Sequence, residues 1–243
     1  MKKVGRTVTV LGIPFYRTTK VEMVATLTER VRQQQRTFVV TANPEIVMKA
    51  RGNQQLNEAI MQADYVTADG IGIVKATQHL ADPLPERVTG FELFSDLLTA
   101  GNKQSWSLYL VGSSDEVINK TVQVIADQYP NLQLKGYHSG FFDTEMERTA
   151  IQTDVIASQA DLVFVAMGSP YQEVFITEML SQLQKGLLIG IGGSFDVFSG
   201  TVKRAPLIWQ KFNLEWAYRV LTQPSRIWRM KDLIRFYIAT IKR

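Results

Sequence analysis

The chain of 243 residues is 45% apolar and 21% charged, and it contains no cysteine. That length and mixture suit one large globular domain with an appendage; they exclude disorder, disulfide scaffolds, thiolate metal sites and a cysteine nucleophile. The net charge of +4 conceals an asymmetry, because residues 201–243 hold ten basic and two acidic side chains, a local +8 on a body of net −4.

The opening residues carry charge but no apolar signal core. No apolar run reaches the ~18 residues a spanning helix needs, so a cytoplasmic location is expected. Thr37–Thr41 reads as a buried strand. Asn43-Pro44 then caps a helix bearing Ile46, Val47 and Ala50. Tyr65–Ala68 leads into Asp69 and a glycine-rich turn. Leu108–Gly112 is a further strand, followed by a helix capped within Ser113-Ser114-Asp115, with Val117, Ile118, Thr121, Val124 and Ile125 on one side. Leu132–Tyr137 is the next strand, and Ile151, Val155 and Ile156 mark the next helix. Leu162–Gly168 and Leu187–Gly192 are near-continuous apolar runs, as strands covered on both faces require. The rhythm predicts an α/β fold: a Rossmann-like, mostly parallel sheet with helices on both faces, spanning residues 1–200. Residues 201–243 form a basic, aromatic-rich helical appendage. Within it Met230, Leu233, Ile234, Tyr237, Ile238 and Ile241 make one helical stripe, which suits either packing on the core or a membrane interface.

In open α/β sheets ligands bind beyond the carboxyl ends of the strands. Polar residues just after the apolar runs are therefore the candidates. Thr41 and Asn43 either face a ligand or, for Asn43, simply cap a helix. Asp69 is either a general base or part of an idle Asp-Gly turn. Arg87 suits phosphate or sugar oxygens, or a surface ion pair. Gly168-Ser169-Pro170-Tyr171-Gln172-Glu173 opens a helix where backbone N–H groups favour an anion and Gln172 can bond a sugar. Gly192-Gly193-Ser194-Phe195-Asp196 is a similar strand end. There is no GxGxxG of proper spacing, no GxxxxGK[ST], HExxH, GxSxG or Asp-X-Asp. His79 and His138 are too few for a histidine-rich metal site.

Together, Thr41-Ala42-Asn43-Pro44-Glu45, Ala68-Asp69-Gly70-Ile71-Gly72, Glu86-Arg87-Val88-Thr89-Gly90, Gly168–Glu173 and Gly192–Gly200 resemble the WecG/TagA/CpsF family of bacterial glycosyltransferases. So do Lys203-Arg204-Ala205-Pro206, Leu214-Glu215-Trp216, Arg219, Pro224, Arg226 and Arg229. The likeness is closest to the TagA branch. The family usually has Lys in place of Tyr171, and commonly Asp in place of Glu92.

This resemblance implies inverting transfer of N-acetylmannosamine from UDP to undecaprenyl-diphosphate-linked N-acetylglucosamine, the linkage disaccharide of wall teichoic acid. It implies Asp69 as base and Thr41, Asn43, Gln172 and Glu173 as substrate-binding. Asp196 would meet the uracil, and Arg87, Arg219, Arg226 and Arg229 the phosphates, with no metal and no cofactor. The partners implied are a UDP-sugar donor, a polyprenyl-diphosphate acceptor, the cytoplasmic membrane surface and a second copy of the chain, with no nucleic acid. A bilayer-held acceptor turns the basic tail into a membrane-docking and site-completing element, peripheral to the inner membrane face. A sister enzyme using another UDP-sugar, such as UDP-N-acetylmannosaminuronic acid, or another lipid acceptor is the alternative. A non-catalytic nucleic-acid-binding protein is the remote one; it leaves unexplained why Asp69, Gln172 and the glycines sit at strand ends.

Overall fold

A computed structural model describes residues 7–206, 208–209, 215–222 and 230–241. Six parallel strands form the central sheet in the order β4-β3-β8-β7-β5-β6. They are β3 (Thr37–Ala42), β4 (Tyr65–Ala68), β5 (Ser107–Gly112), β6 (Gln133–His138), β7 (Leu162–Ala166) and β8 (Leu187–Gly190). Every residue of β3, β4, β5, β7 and β8 is buried. Only β6, at the sheet edge, is largely exposed. The predicted parallel α/β core is therefore present, with strand limits shifted by a residue or two.

Side-chain alternation divides the core in two. Phe38, Val40, Val163 and Val165 face α2 (Pro44–Gly52), α3 (Gln54–Gln62), α7 (Glu145–Ser158) and α8 (Tyr171–Met179). Val39, Leu162, Phe164 and Ile189 face α1 (Lys20–Arg32), α5 (Gly90–Gln104), α6 (Asp115–Gln128) and α9 (Ser194–Phe198). The short helix α4 (Ile71–Lys75) follows the Asp69-Gly70 turn. The predicted caps form: Asn43 accepts from Ile46 N–H, and Ser114 accepts from Val117 N–H.

Sequence reading did not anticipate the antiparallel hairpin β1 (Thr7–Val10) and β2 (Ile13–Tyr16). Its turn uses Leu11 and Gly12, both at positive φ as a tight hairpin turn requires. Val8, Val10, Ile13 and Phe15 bury its inner face against the core.

The described tail residues form α10 (Glu215–Thr222) and α11 (Met230–Ile241). α11 packs on α2 through Phe236, which is fully buried. Phe236 lies outside the predicted apolar stripe. Ile234, Tyr237, Ile238 and Ile241 of that stripe are instead exposed. Met230 and Leu233 of the stripe are half-buried, and Phe236 is the one fully buried side chain of the helix. No helix among the described residues is long and apolar enough to cross a membrane.

Gly112 ends β5 at φ +136, and a Cβ there would lie 2.4 Å from the Ala166 carbonyl oxygen. Gly112→Ala is expected to cost about 1–3 kcal/mol. Thermal unfolding should show this as a midpoint about 2–12 °C lower.

Candidate active site at the strand ends

The neighbouring strands β3 and β8 send their following helices to opposite faces: β3 leads to α2 on one side and β8 to α9 on the other. Such divergence opens a crevice at the carboxyl ends of the strands. Every candidate in the body of the chain lies along this edge.

Asp69 follows β4 directly. Its N–H donates to Ala42 O at 3.0 Å, and its Oδ2 accepts from Gly90 N–H at 3.0 Å. Val88 N–H donates to Ala68 O at 2.9 Å, which lays the segment before α5 alongside the end of β4. A Cβ on Gly90 would come within 2.9 Å of Thr41 Oγ1 and 3.6 Å of Asp69 Oδ2. One on Gly72 would lie 2.9 Å from Pro44 Cγ. Glycine is required here because three loops meet at contact distance. They hold a half-buried carboxylate in a fixed orientation at the crevice, as a base needs.

Thr41 and Asn43 are brought to the same place, with their side chains engaged in structure. Thr41 is buried, and its hydroxyl donates to Gly190 O at 2.9 Å, joining β3 to the end of β8. Asn43 Oδ1 accepts from Ile46 N–H at 3.0 Å, so its capping role is realised.

Gln172 and Glu173 are both buried. Gln172 Nε2 donates to Glu173 Oε1 at 2.8 Å, and Gln172 Oε1 accepts from Gly192 N–H at 2.9 Å. A Cβ on Gly190 would sit 2.7 Å from Gln172 Nε2. The pair braces the first turn of α8 against the glycine turn after β8. Glu173 Oε2 and Ser169 Oγ make no hydrogen bond among the described residues. Burial raises the Glu173 pKa, against smaller opposing effects from Gln172, Ser169 and Lys49. A carboxyl with one unmatched oxygen in a dry interior is cheaper to keep neutral.

Asp196 stands in α9, toward the β5 side of the crevice. Ser113 Oγ donates to its Oδ2 over a long 3.4 Å. Ser113 has φ 55, and its N–H donates to Ala166 O at 2.9 Å, so the turn after β5 aims the hydroxyl at α9. Sequence reading did not select Ser113 as a site residue, because it read the residue as part of a helix cap.

Arg87 meets a tail residue. Its Nη1 lies 2.7 Å from Glu215 Oε2, while Arg204 Nε approaches Glu215 Oε1 at 3.5 Å. The Arg204 guanidinium stacks 4.5 Å above the Phe91 ring. Arg204 was likewise not selected, although its place in Lys203-Arg204-Ala205-Pro206 of the basic tail was a signal. Arg219 falls within α10. Arg226 and Arg229 lie outside the described residues.

His79 and His138 are exposed. Among the described residues no three His, Asp or Glu side chains converge as a metal site would need. A hollow of about 730 Å³ runs along α7, lined by Met146, Thr149, Ala150 and Thr153 among others. α7 packs on β6, at the edge of the sheet opposite β4. Charged and polar groups converge at the strand ends, whereas the α7 hollow is an open, mainly apolar surface.

The family model of the glycosyl transferase WecG/TagA/CpsF family matches residues 8–243. The chain belongs to this family. A relative from Staphylococcus aureus (strain NCTC 8325 / PS 47) is 37% identical over 240 residues, covering 97% of this chain and 93% of its own length. One from Bacillus spizizenii (strain ATCC 23059 / NRRL B-14472 / W23) is 37% identical over 205 residues, covering 84% of this chain and 79% of its own. Both relatives bear the name N-acetylglucosaminyldiphosphoundecaprenol N-acetyl-beta-D-mannosaminyltransferase.

The raised pKa of Glu173 sets a sign for pH. The folded chain holds this proton where the unfolded carboxyl, with its ordinary value of 4.5, has lost it. That contribution to stability is full below 4.5 and is lost as pH rises through the folded value. Glu173→Gln keeps an acceptor for Gln172 and cannot ionise. Denaturant midpoints at about pH 4 and about pH 7 should show the wild type losing stability relative to the variant on going up.

Proposed function

We propose that the chain transfers N-acetylmannosamine from UDP to the N-acetylglucosamine of an undecaprenyl-diphosphate acceptor, the linkage-unit step of wall teichoic acid synthesis. The observation that carries this reading is the Asp69 carboxylate at the crevice, oriented by Gly90 N–H with Arg87 three residues away in sequence. The names of relatives that align with 97% and 84% of the chain supply the donor sugar and the acceptor.

In this mechanism the acceptor hydroxyl attacks the anomeric carbon in line with the departing UDP, and the configuration inverts. Asp69 takes the hydroxyl proton as the new carbon–oxygen bond forms. The bond from the anomeric carbon to the UDP oxygen breaks, and negative charge grows on the diphosphate. Arg87 is placed to offset that charge, joined by Arg219, Arg226 and Arg229 from the tail. Asp196 with Ser113 receives the uracil end. Thr41, Gln172 and Glu173 act by fixing the backbone of the strand-end turns on which the sugar rests, and Asn43 by capping α2 beside them.

The acceptor's polyprenyl chain stays in the bilayer, so the site must reach a membrane face. Exposed Ile234, Tyr237, Ile238 and Ile241, beside exposed Lys231 and Arg235, support docking through α11. Each Lys or Arg near an anionic surface adds roughly 1 kcal/mol. On this reading residues 1–200 are the catalytic core, residues 201–243 complete the site and dock, and the protein sits peripherally on the cytoplasmic face.

Incubation with UDP-N-acetylmannosamine and a short-chain lipid-diphosphate-N-acetylglucosamine should yield a disaccharide lipid, seen by mass spectrometry; its absence would refute the reading. Asp69→Asn is expected to lower kcat about 10²–10⁴-fold. Calorimetric affinity for the donor should stay within about threefold, since the amide preserves shape and an acceptor for Gly90. Separately, Ile234→Glu with Ile238→Glu should abolish co-sedimentation with anionic vesicles and leave UDP binding in solution intact. Unchanged sedimentation would remove α11 from the docking surface.

A further inference from the structure

We propose that Arg204 and Arg87 form a two-guanidinium clamp for a diphosphate ester, and that Glu215 fills this clamp as an internal stand-in until the ligand displaces it. The inference rests on the reading above that the chain handles diphosphate esters.

The two arginines come from segments far apart in sequence yet converge on one carboxylate. Glu215 Oε2 lies 2.7 Å from Arg87 and its Oε1 3.5 Å from Arg204. The side chains are 19%, 33% and 18% exposed for Arg87, Arg204 and Glu215, so water screens the cluster only in part. Both cations are fixed to the body. Arg204 stacks on Phe91, the residue after the Gly90 that holds Asp69. Its segment is tied down by Val202 N–H donating to Asp196 O at 2.8 Å and by buried Ala205. Arg87 stands just before Val88, which bonds to the end of β4. Glu215, by contrast, is the first residue of tail helix α10. The anion is thus the part that can leave, and it leaves with its helix.

The fit to a single carboxylate is uneven. A charge-assisted bond is usually about 2.7–2.9 Å, and the Arg204 contact exceeds this. A diphosphate carries a charged group for each guanidinium fork and can satisfy both at short range. Because Phe91 and Gly90 are consecutive, a diphosphate held here lies beside the carboxylate that takes the proton. Glu215 and the diphosphate then compete for the same donors, so each weakens the other's hold.

Titration calorimetry of the full chain with UDP and with inorganic diphosphate tests this. Arg204→Ala should weaken both about tenfold, and Arg204→Lys, which keeps charge but not the planar fork, should weaken both by less. Glu215→Gln should tighten both about three- to tenfold, an effect that a merely structural tether would not produce. Unchanged affinity in both Arg204 variants, with melting curves showing them folded, overturns the clamp. Unchanged or weaker binding in Glu215→Gln overturns the stand-in. If the wild type binds neither probe, the functional reading fails and this inference with it; if it binds both and the variants do not differ, only this inference fails.

Discussion

The N–H of Gly90 donates to Asp69 Oδ2, and this bond depends on three loops lying in van der Waals contact. The end of β3 brings Thr41, the end of β4 brings Asp69, and the start of α5 brings Gly90, with no space between them for a methyl group. A parallel sheet buried on both faces makes such an arrangement stable, because its strands end together and their backbones must turn away in opposite directions. The carboxylate gains a fixed orientation before any ligand arrives. Preorganisation of this kind avoids the reorganisation cost that a flexible base would incur at each turnover.

The same economy of space explains the buried polar pair on α8. Gln172 reaches the glycine turn after β8 only because Gly190 lacks a side chain, and its amide is held by Glu173. A buried carboxylate with one unmatched oxygen is expensive, and burial raises the pKa of Glu173, the direction that favours its neutral form. The tail obeys a different balance. One fully buried phenylalanine, Phe236, docks α11, while four large apolar residues of the same helix remain in water. Such exposed apolar surface is costly in water.

Much of this was legible in the residues, and the exceptions have physical causes. Near-continuous apolar runs at 162–168 and 187–192 announced buried parallel strands, because alternation disappears when both faces are covered. Asp69 and Asp196 were legible as crevice residues from their positions after such runs. The hairpin of residues 7–16 escaped notice, since its strands are short and its turn residues, Leu11 and Gly12, are a weak signal. Periodicity identified an apolar stripe on the last helix but says nothing about which neighbour covers it; Phe236, outside the stripe, is the residue that is fully buried, while Met230 and Leu233 of the stripe are half-buried. The contact of Gln172 with Gly190 and Gly192 joins α8 to the end of β8 across some twenty residues, which spacing along the chain does not announce. The meeting of Arg87 with Glu215 spans 128 residues, a separation at which sequence spacing carries no geometric information.

The central claim is that nucleotide chemistry occurs at the strand ends beside Asp69. A crystal structure of the chain with UDP bound is its most direct test. The account predicts the diphosphate between the Asp69–Gly90 loop and the arginine-bearing segments, with uracil toward Asp196. Nucleotide density over the α7 hollow, with the strand ends empty, would contradict it.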